Sequence, residues 1–443
     1  MAMRNVLIAA YHFPPMGGSG VQRVVKWSRY LPRAGWRPHV VCAGHGQYPL
    51  MDDTLLREVH PSARVHRVVG WEPAGVAQRV KRIVGADRLE AVLAWRLNRL
   101  IDATPLPERE LLWVPSAITS ARRIVDDNSV EAVITSGPPH STHLVGLHLK
   151  RRMQVPWIAD LRDAMTDNWA ADHDSWTSAV FARFVERQVV RHADHIIVTC
   201  PEVSQSLAAR HALAPERVSF IPNGYDPTDA PIGIPSRRNE RLVIAHVGAL
   251  YRDQGLAPVL DAITRLIGAD STLRDKIELR IVGSISNTQR ASLTVAQRAL
   301  VTETGYVSHG AAIREMREAD VLLLMTPGNP RGRYCIPAKT FEYLAFGGHI
   351  FAVVHPGTEL ERLLRRCGNA TVVPSHSSDS IATALRGCLE TCCDGHDERR
   401  DRSLLAEYRR DHQASRLATL IESVVDGTAP SLRIAPVGSE AAA

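Results

Sequence analysis

An apolar run at Val6–Ala10 opens the chain, followed by the loop HFPPMGGSG and by Val21, Val24, Val25, Ser28 and Leu31 at helical spacing. This reads as a helix from Val21 to Ala34, closed by Gly35, and His39–Ala43 forms the next apolar run. Strand, helix and strand in such close succession require a crossover connection, so the two strands are parallel and make a βαβ unit. The pattern recurs, with strands expected at Ala132–Thr135, Trp157–Ala159, His195–Thr199 and Val218–Ile221. Between them, Tyr48 to Pro115 is less regular.

Asp226–Glu240, DPTDAPIGIPSRRNE, has no periodicity and reads as a linker. A second alternating set follows it. Strands are expected at Leu242–Gly248, Ile277–Gly283, Val321–Met325 and Ile350–Val354. Helices are expected at Leu256–Ile267, Thr288–Leu300, Ala311–Glu318 and Pro337–Phe346. Two Rossmann-like units would bind a ligand outside the carboxyl ends of their strands. The tail from Thr428 has the composition of a disordered segment.

At 443 residues the chain is too long for one ordinary core, and 45% hydrophobic content without a membrane-spanning run describes an enzyme-sized globular protein. The opening segment has no cleavage pattern of a secretory signal. Seven cysteines without CxxC pairs fit reduced thiols in a cytoplasm, and the spacing of Cys388, Cys392, Cys393 and His396 matches no common zinc pattern. The net charge of +6 suits anionic small ligands or a lipid surface and is too diffuse to indicate nucleic acid. Leu89, Leu93, Leu97 and Leu100, with Arg82, Arg88, Arg96 and Arg99 nearby, form an amphipathic stripe. It either caps its own domain or lies on an anionic membrane.

The stretch CIPAKTFEYLAF carries the most specific chemistry. Pro337 suits a first helical position and Gly347-Gly348 the far end. The helix start and Lys339 favour an anion, and Glu342 stands ~5 Å further along the axis. A nucleoside diphosphate has a phosphate and a sugar hydroxyl at that separation. The other reading is an amphipathic helix with Ala338, Phe341 and Ala345 in the core. Gly248 and Arg252 follow a strand and precede a helix, while Arg331 and Arg333 flank the loop before Pro337, so all are placed to meet phosphate oxygens. In the first half, Gly17 and Gly18 allow close backbone approach at a helix start, although they do not make GxGxxG. His140 and His143 follow one strand; Asp160, Arg162 and Asp163 follow another. His140, Asp160, Arg162 and Asp163 are candidates for binding sugar hydroxyls or handling a proton, whereas His143 reads as the start of a helix.

The segments YHFPPMGGSGVQR, ITSGPPHSTH, WIADLRDAM, FIPNGYD, HVGALYR, GYVSHGAAIREMREADVLLLM and IPAKTFEYLAFGG, in that order, resemble a retaining glycosyltransferase of the GT-B fold, in the group-1 (family 4) class. The resemblance covers nearly the whole chain. It implies an α/β protein of two facing Rossmann-like domains with parallel sheets and a C-terminal helix crossing back to the N-terminal domain. The expected division is an acceptor domain at 1–228, a nucleotide-sugar donor domain at 229–405, a crossover helix at 406–427 and a tail at 428–443.

By the same resemblance, Glu342 would bond ribose hydroxyls, Lys339 and Arg252 would hold the diphosphate, and Gly17 and Gly18 would approach the donor. His140 would contact the transferring sugar, and Asn223-Gly224 would end the first domain. Tyr334 stands where the family often has a second glutamate, and Asp253 where a lysine commonly follows the arginine. Lys339, Arg331 and Arg333 are the substitutes. The implied activity is hexosyl transfer from a nucleotide-diphosphate sugar to a carbohydrate, lipid-linked or small-molecule hydroxyl, with retention and with no essential metal or other cofactor. The expected setting is cytoplasmic, with room for peripheral contact at the inner face of a membrane. An epimerase on the same fold and a non-catalytic relative that binds nucleotide-sugar are the alternatives.

Overall fold

The structure is a computed structural model that describes residues 3–44, 50–73, 75–78, 106–168, 175–229, 241–250, 256–374, 376–392 and 402–428, with a few isolated positions between them. The Leu89–Leu100 stripe apart from Arg96, Leu97 and Arg99, most of the linker, Arg252, Cys393, His396 and the tail from 429 lie outside the described residues. The chain divides into two units, one holding residues to Pro222 and again from Gln413, the other holding Asn223–His412.

The first unit is a seven-stranded parallel sheet in the order β3-β2-β1-β4-β5-β6-β7. Its strands are β1 (Arg4–Ala9), β2 (Trp36–Ala43), β3 (Arg64–Val68), β4 (Val130–Gly137), β5 (Trp157–Leu161), β6 (His195–Val198) and β7 (Val218–Phe220). Helices α1 (Ser19–Tyr30), α2 (Val114–Asn128), α3 (His143–Met153), α4 (Trp176–His192) and α5 (Pro201–His211) connect them. A continuously apolar strand needs cover on both faces. On one face Val6, Ile8, Val40 and Ile134 meet Val21, Val24 and Trp27 of α1. The final helix, Arg410–Val425, adds Leu417, Leu420 and Ile421 to that layer, each worth about 1.5–3 kcal/mol when fully buried.

The second unit is a six-stranded parallel sheet in the order β10-β9-β8-β11-β12-β13. It comprises β8 (Leu242–Val247), β9 (Ile277–Val282), β10 (Val301–Glu303), β11 (Val321–Met325), β12 (His349–Val353) and β13 (Ala370–Val373). Its helices are α6 (Leu256–Ala269), α7 (Leu273–Lys276), α8 (Asn287–Ser292), α9 (Val295–Arg298), α10 (His309–Glu318), α11 (Lys339–Phe346), α12 (Glu359–Cys367) and α13 (Ser378–Cys392). Leu256, Val259, Leu260 and Ile263 recur at helical spacing and pack on Ile244, Leu279 and Leu323. In each sheet the order reverses beside the first strand, between β1 and β4 and between β8 and β11. Ligands bind at such a reversal, outside the carboxyl ends.

Several expectations need correction. The irregular region before Pro115 contains an edge strand, β3. The single helix expected at Thr288–Leu300 is two short helices, because Thr294 and Gln297 form a reciprocal capping box that starts α9 afresh. Pro337 precedes α11 and accepts the Thr340 N–H through its carbonyl at 3.0 Å. Asp160 lies inside β5, which runs on to Leu161. No helix among the described residues is long and apolar enough to cross a membrane.

Candidate functional site

In the second unit, β8 ends at Val247, and Gly248 follows with φ +120°, a conformation that disfavours a side chain. A Cβ there would lie 2.9 Å from the Lys339 Nζ. The start of α11 is anchored to the strand end because the Tyr343 hydroxyl accepts the Val247 N–H at 2.7 Å. Lys339, the first residue of α11, places Nζ 2.7 Å from Nε2 of His246 in β8. His246 is 1% exposed, and its Nδ1 lies 3.0 Å from the Leu323 carbonyl oxygen. A carbonyl only accepts, so Nδ1 carries the proton and Nε2 is left to accept from the lysine. Burial lowers the Lys339 pKa to about 7, against the opposing fields of Cys335 and Glu342. Burial, with Lys339 alongside, also holds His246 well below its ordinary value.

Glu342 sits one turn into α11, its Oε1 3.8 Å from Nε2 of His309 at the start of α10. The His309 ring is also 3.2 Å from the Asp229 carboxylate. Thr340, in the same first turn, has a buried hydroxyl oxygen without a partner among the described residues. Arg331 and Arg333 are exposed on a 3-10 turn, Pro330–Tyr334, whose start is capped by the Asn329 side chain. Tyr334 is half-buried at the end of that turn. Gly248, Lys339 and Glu342 therefore come together, and His246, His309 and Asp229 join them. Nothing local in the sequence marks His246 or Asp229 as partners; the GYVSH segment before α10 was the one signal for His309.

In the first unit, β4 runs into a turn at His140–Thr142 and then α3. The Glu108 carboxylate accepts the His140 and Ser141 N–H groups at 2.9 and 2.7 Å. It thereby neutralises the start of the turn, as an acid does at a helix N-terminus. The His140 side chain is buried, and neither ring nitrogen has a partner among the described residues. Burial lowers its pKa despite the nearby Glu108 and Asp163, leaving a neutral imidazole at neutral pH. Asp163 is pushed up by burial, against the pull of Arg162 and His140. His143 starts α3, with Nδ1 2.8 Å from the Thr135 hydroxyl.

Asp160 and Arg162 do not pair with each other. Asp160 is fully buried and gripped by Arg23, with a closest contact of 2.8 Å, and it also accepts from the Ser136 hydroxyl at 2.7 Å. Arg23 additionally donates to the carbonyls of Ile221 and Pro222. Both Asp160 oxygens are therefore engaged by protein groups. Arg162 donates to the carbonyls of Gly20, Gly137 and Pro138, so it ties the glycine loop to the turn that carries His140. Gly17 donates its N–H to the Leu50 carbonyl at 3.0 Å, whereas Gly18, with φ +97°, caps α1.

Residues 18–224 match the family model described as a glycosyl transferase 4-like domain. Among solved structures, sucrose-phosphate synthase from Thermosynechococcus elongatus is similar with a TM-score of 0.70 at 14% identity, covering 96% of this chain and 100% of that one. The Anabaena Alr3699/HepE protein, solved in complex with UDP and glucose, gives 0.55 at 14% identity over 95% and 97% of the two chains. A Listeria monocytogenes protein described as a UDP-N-acetylglucosamine 2-epimerase gives 0.56 at 11% identity over 97% and 99%. At these identities the likeness is one of fold, and that fold is GT-B. Comparison with curated proteins gives no match.

Proposed function

We propose that this chain, a GT-B protein whose first unit is a glycosyl transferase 4-like domain, moves a sugar from a nucleotide-diphosphate donor to an acceptor hydroxyl with retention of configuration. The observation that carries the reading is the pairing on one turn of α11. Lys339 stands at the helix start with glycine backbone against its ammonium, and Glu342 follows one turn on. Lys339 would take the diphosphate, with Arg331, Arg333 and Arg252 adding positive charge around it. Glu342, its carboxylate 3.8 Å from the His309 ring, would accept from the ribose hydroxyls. These cations, rather than a resident metal, would stabilise the departing diphosphate. His140, whose two ring nitrogens have no partner among the described residues, would contact the transferring sugar, and Tyr334 would face it where the family often has glutamate. With no nucleophilic carboxylate pair in the motifs, a front-face displacement in which the leaving phosphate helps take the acceptor proton is the mechanism that fits.

A thermal-shift panel of UDP, GDP, ADP and dTDP sugars tests this, because a ligand that binds only the native state raises stability by RT ln(1 + [L]/Kd). One donor should stand out, and Glu342→Ala should reduce its shift by the equivalent of a Kd about tenfold to hundredfold weaker. No shift with any donor would sink the reading. Incubation with the donor alone tests the epimerase alternative, which the likeness to the Listeria protein keeps open: an epimerase would convert the sugar, whereas a transferase would at most hydrolyse it.

A further inference from the structure

Helix α4, Trp176–His192, buries one face and leaves the other bare. Its exposed positions are Trp176, Val180, Arg183, Phe184, Arg187 and Arg191. At 3.6 residues per turn these six fall within one arc of about 100°. Trp176 is 76% exposed, Phe184 48% and Val180 39%, which makes a continuous apolar strip one residue wide. Arg183 lies beside Phe184, and the following turns carry Arg187 and Arg191. None of the three arginines has an ion-pair partner among the described residues.

No carboxylate shares the arc. Glu186, the one acid on this helix, points the other way and is held by Thr166, Arg210 and His211. Beyond the arginine end, Arg187 and Arg191 line a shallow depression with His211 and Arg217. Isolated exposed apolar residues are ordinary, but an apolar strip running into arginines without ion-pair partners among the described residues, all on one arc, has the composition of an interfacial helix.

We propose that this face of α4 docks on the anionic surface of a lipid bilayer. Trp176, Val180 and Phe184 enter the headgroup–acyl boundary, and the arginines meet lipid phosphates, each adding attraction that salt screens. The opposite face of the helix supports the loops around His140. Glu186 accepts the Thr166 N–H at 3.3 Å, and the Ser178 hydroxyl donates to the Pro107 carbonyl, beside Glu108, at 3.0 Å. A docked α4 therefore sets that region about one helix diameter, ~10–12 Å, from the membrane surface.

Co-sedimentation of the full chain with unilamellar vesicles tests the proposal. Binding is expected to mixed phosphatidylglycerol–phosphatidylcholine vesicles, to be weak with phosphatidylcholine alone and to fall as salt rises. The double variant W176S/F184S and the triple variant R183Q/R187Q/R191Q should each lower partitioning at least about tenfold without changing the melting temperature. If either variant unfolds, quenching by brominated acyl chains decides: wild-type tryptophan fluorescence should be quenched on mixed vesicles, and W176F should lose that quenching. Equal binding to both vesicle types, binding unaffected by the variants, or a change in oligomeric mass without vesicle binding would each overturn the proposal. The last result would assign the face to a second copy of the chain.

Discussion

The Lys339 ammonium rests 2.7 Å from Nε2 of His246, a residue 93 positions earlier whose other nitrogen is committed to the Leu323 carbonyl. The lysine is thus aimed by a neutral acceptor, with the Glu342 carboxylate offsetting only part of its burial cost, so its charge is left available to an anion. In the ligand-free protein the same arrangement makes that charge costly.

The cost has a pH signature. Lys339 titrates near 7 in the folded chain and near 10.5 when unfolded. Below about 7 both states carry the proton and the burial penalty is fully present. Between about 7 and 10.5 the unfolded chain holds the extra proton, so stability rises with pH. Lys339→Met should therefore be more stable than the parent at pH 6, with the difference vanishing towards pH 10 in chemical denaturation. Diphosphate binding should restore the charge, and calorimetry at pH 8 in buffers of differing ionisation enthalpy should register proton uptake.

His246→Leu removes the acceptor, and His246→Gln offers a side-chain oxygen in its place. The leucine variant should bind UDP several-fold more weakly while leaving uridine affinity unchanged, and the glutamine variant should recover part of the loss. An equal loss for uridine would mean that the strand end, and not the lysine, had moved.

Glu342→Ala should weaken UDP by about tenfold to a hundredfold, the range of hydrogen bonds to a charged group worth about 1.5–3 kcal/mol. Inorganic pyrophosphate, which has no ribose, should bind the variant as it binds the parent.

Breaking the buried Arg23–Asp160 pair from one side leaves an uncompensated charge in a dry layer. Arg23→Met or Asp160→Ala should each cost about 3–5 kcal/mol in unfolding free energy. UDP binding, read at a temperature where the variants remain folded, should be little affected.

Gly248→Ala puts a methyl 2.9 Å from Nζ on a backbone with φ +120°. The strain should cost about 1–3 kcal/mol of stability. Displacement of the lysine should also lower UDP affinity, whereas Gly268→Ala, with open space around its Cβ, should do neither.

The central strands were legible because β1, β4, β5, β8, β11 and β12 are buried on both faces and read as plain apolar runs. Three of the four edge strands, β3, β10 and β13, with sequences RVHRV, VTE and ATVV, are short or half-exposed and leave no such trace, whereas the buried Val218 and Ile221 around β7 do. The spacing of Lys339 and Glu342 could be read because both sit on one helical turn. Their partners could not, since His246 and Asp229 reach them only through the fold. Asp160 misled for a related reason: a polar residue near a strand's end looks like a loop residue unless its buried counter-charge, 137 positions away, is known.

The final helix closes the apolar layer over β1 and β4, although the strands themselves end at Phe220. A ribosome that has passed Pro222 has made the entire seven-stranded sheet but not its last cover, which emerges only after the whole second unit has been synthesised. Until then Leu417, Leu420 and Ile421 are missing from their places, and the nascent sheet offers a greasy furrow to whatever meets it first. Maturation of the first unit therefore waits on the helix Arg410–Val425, and chaperone demand should peak in that interval.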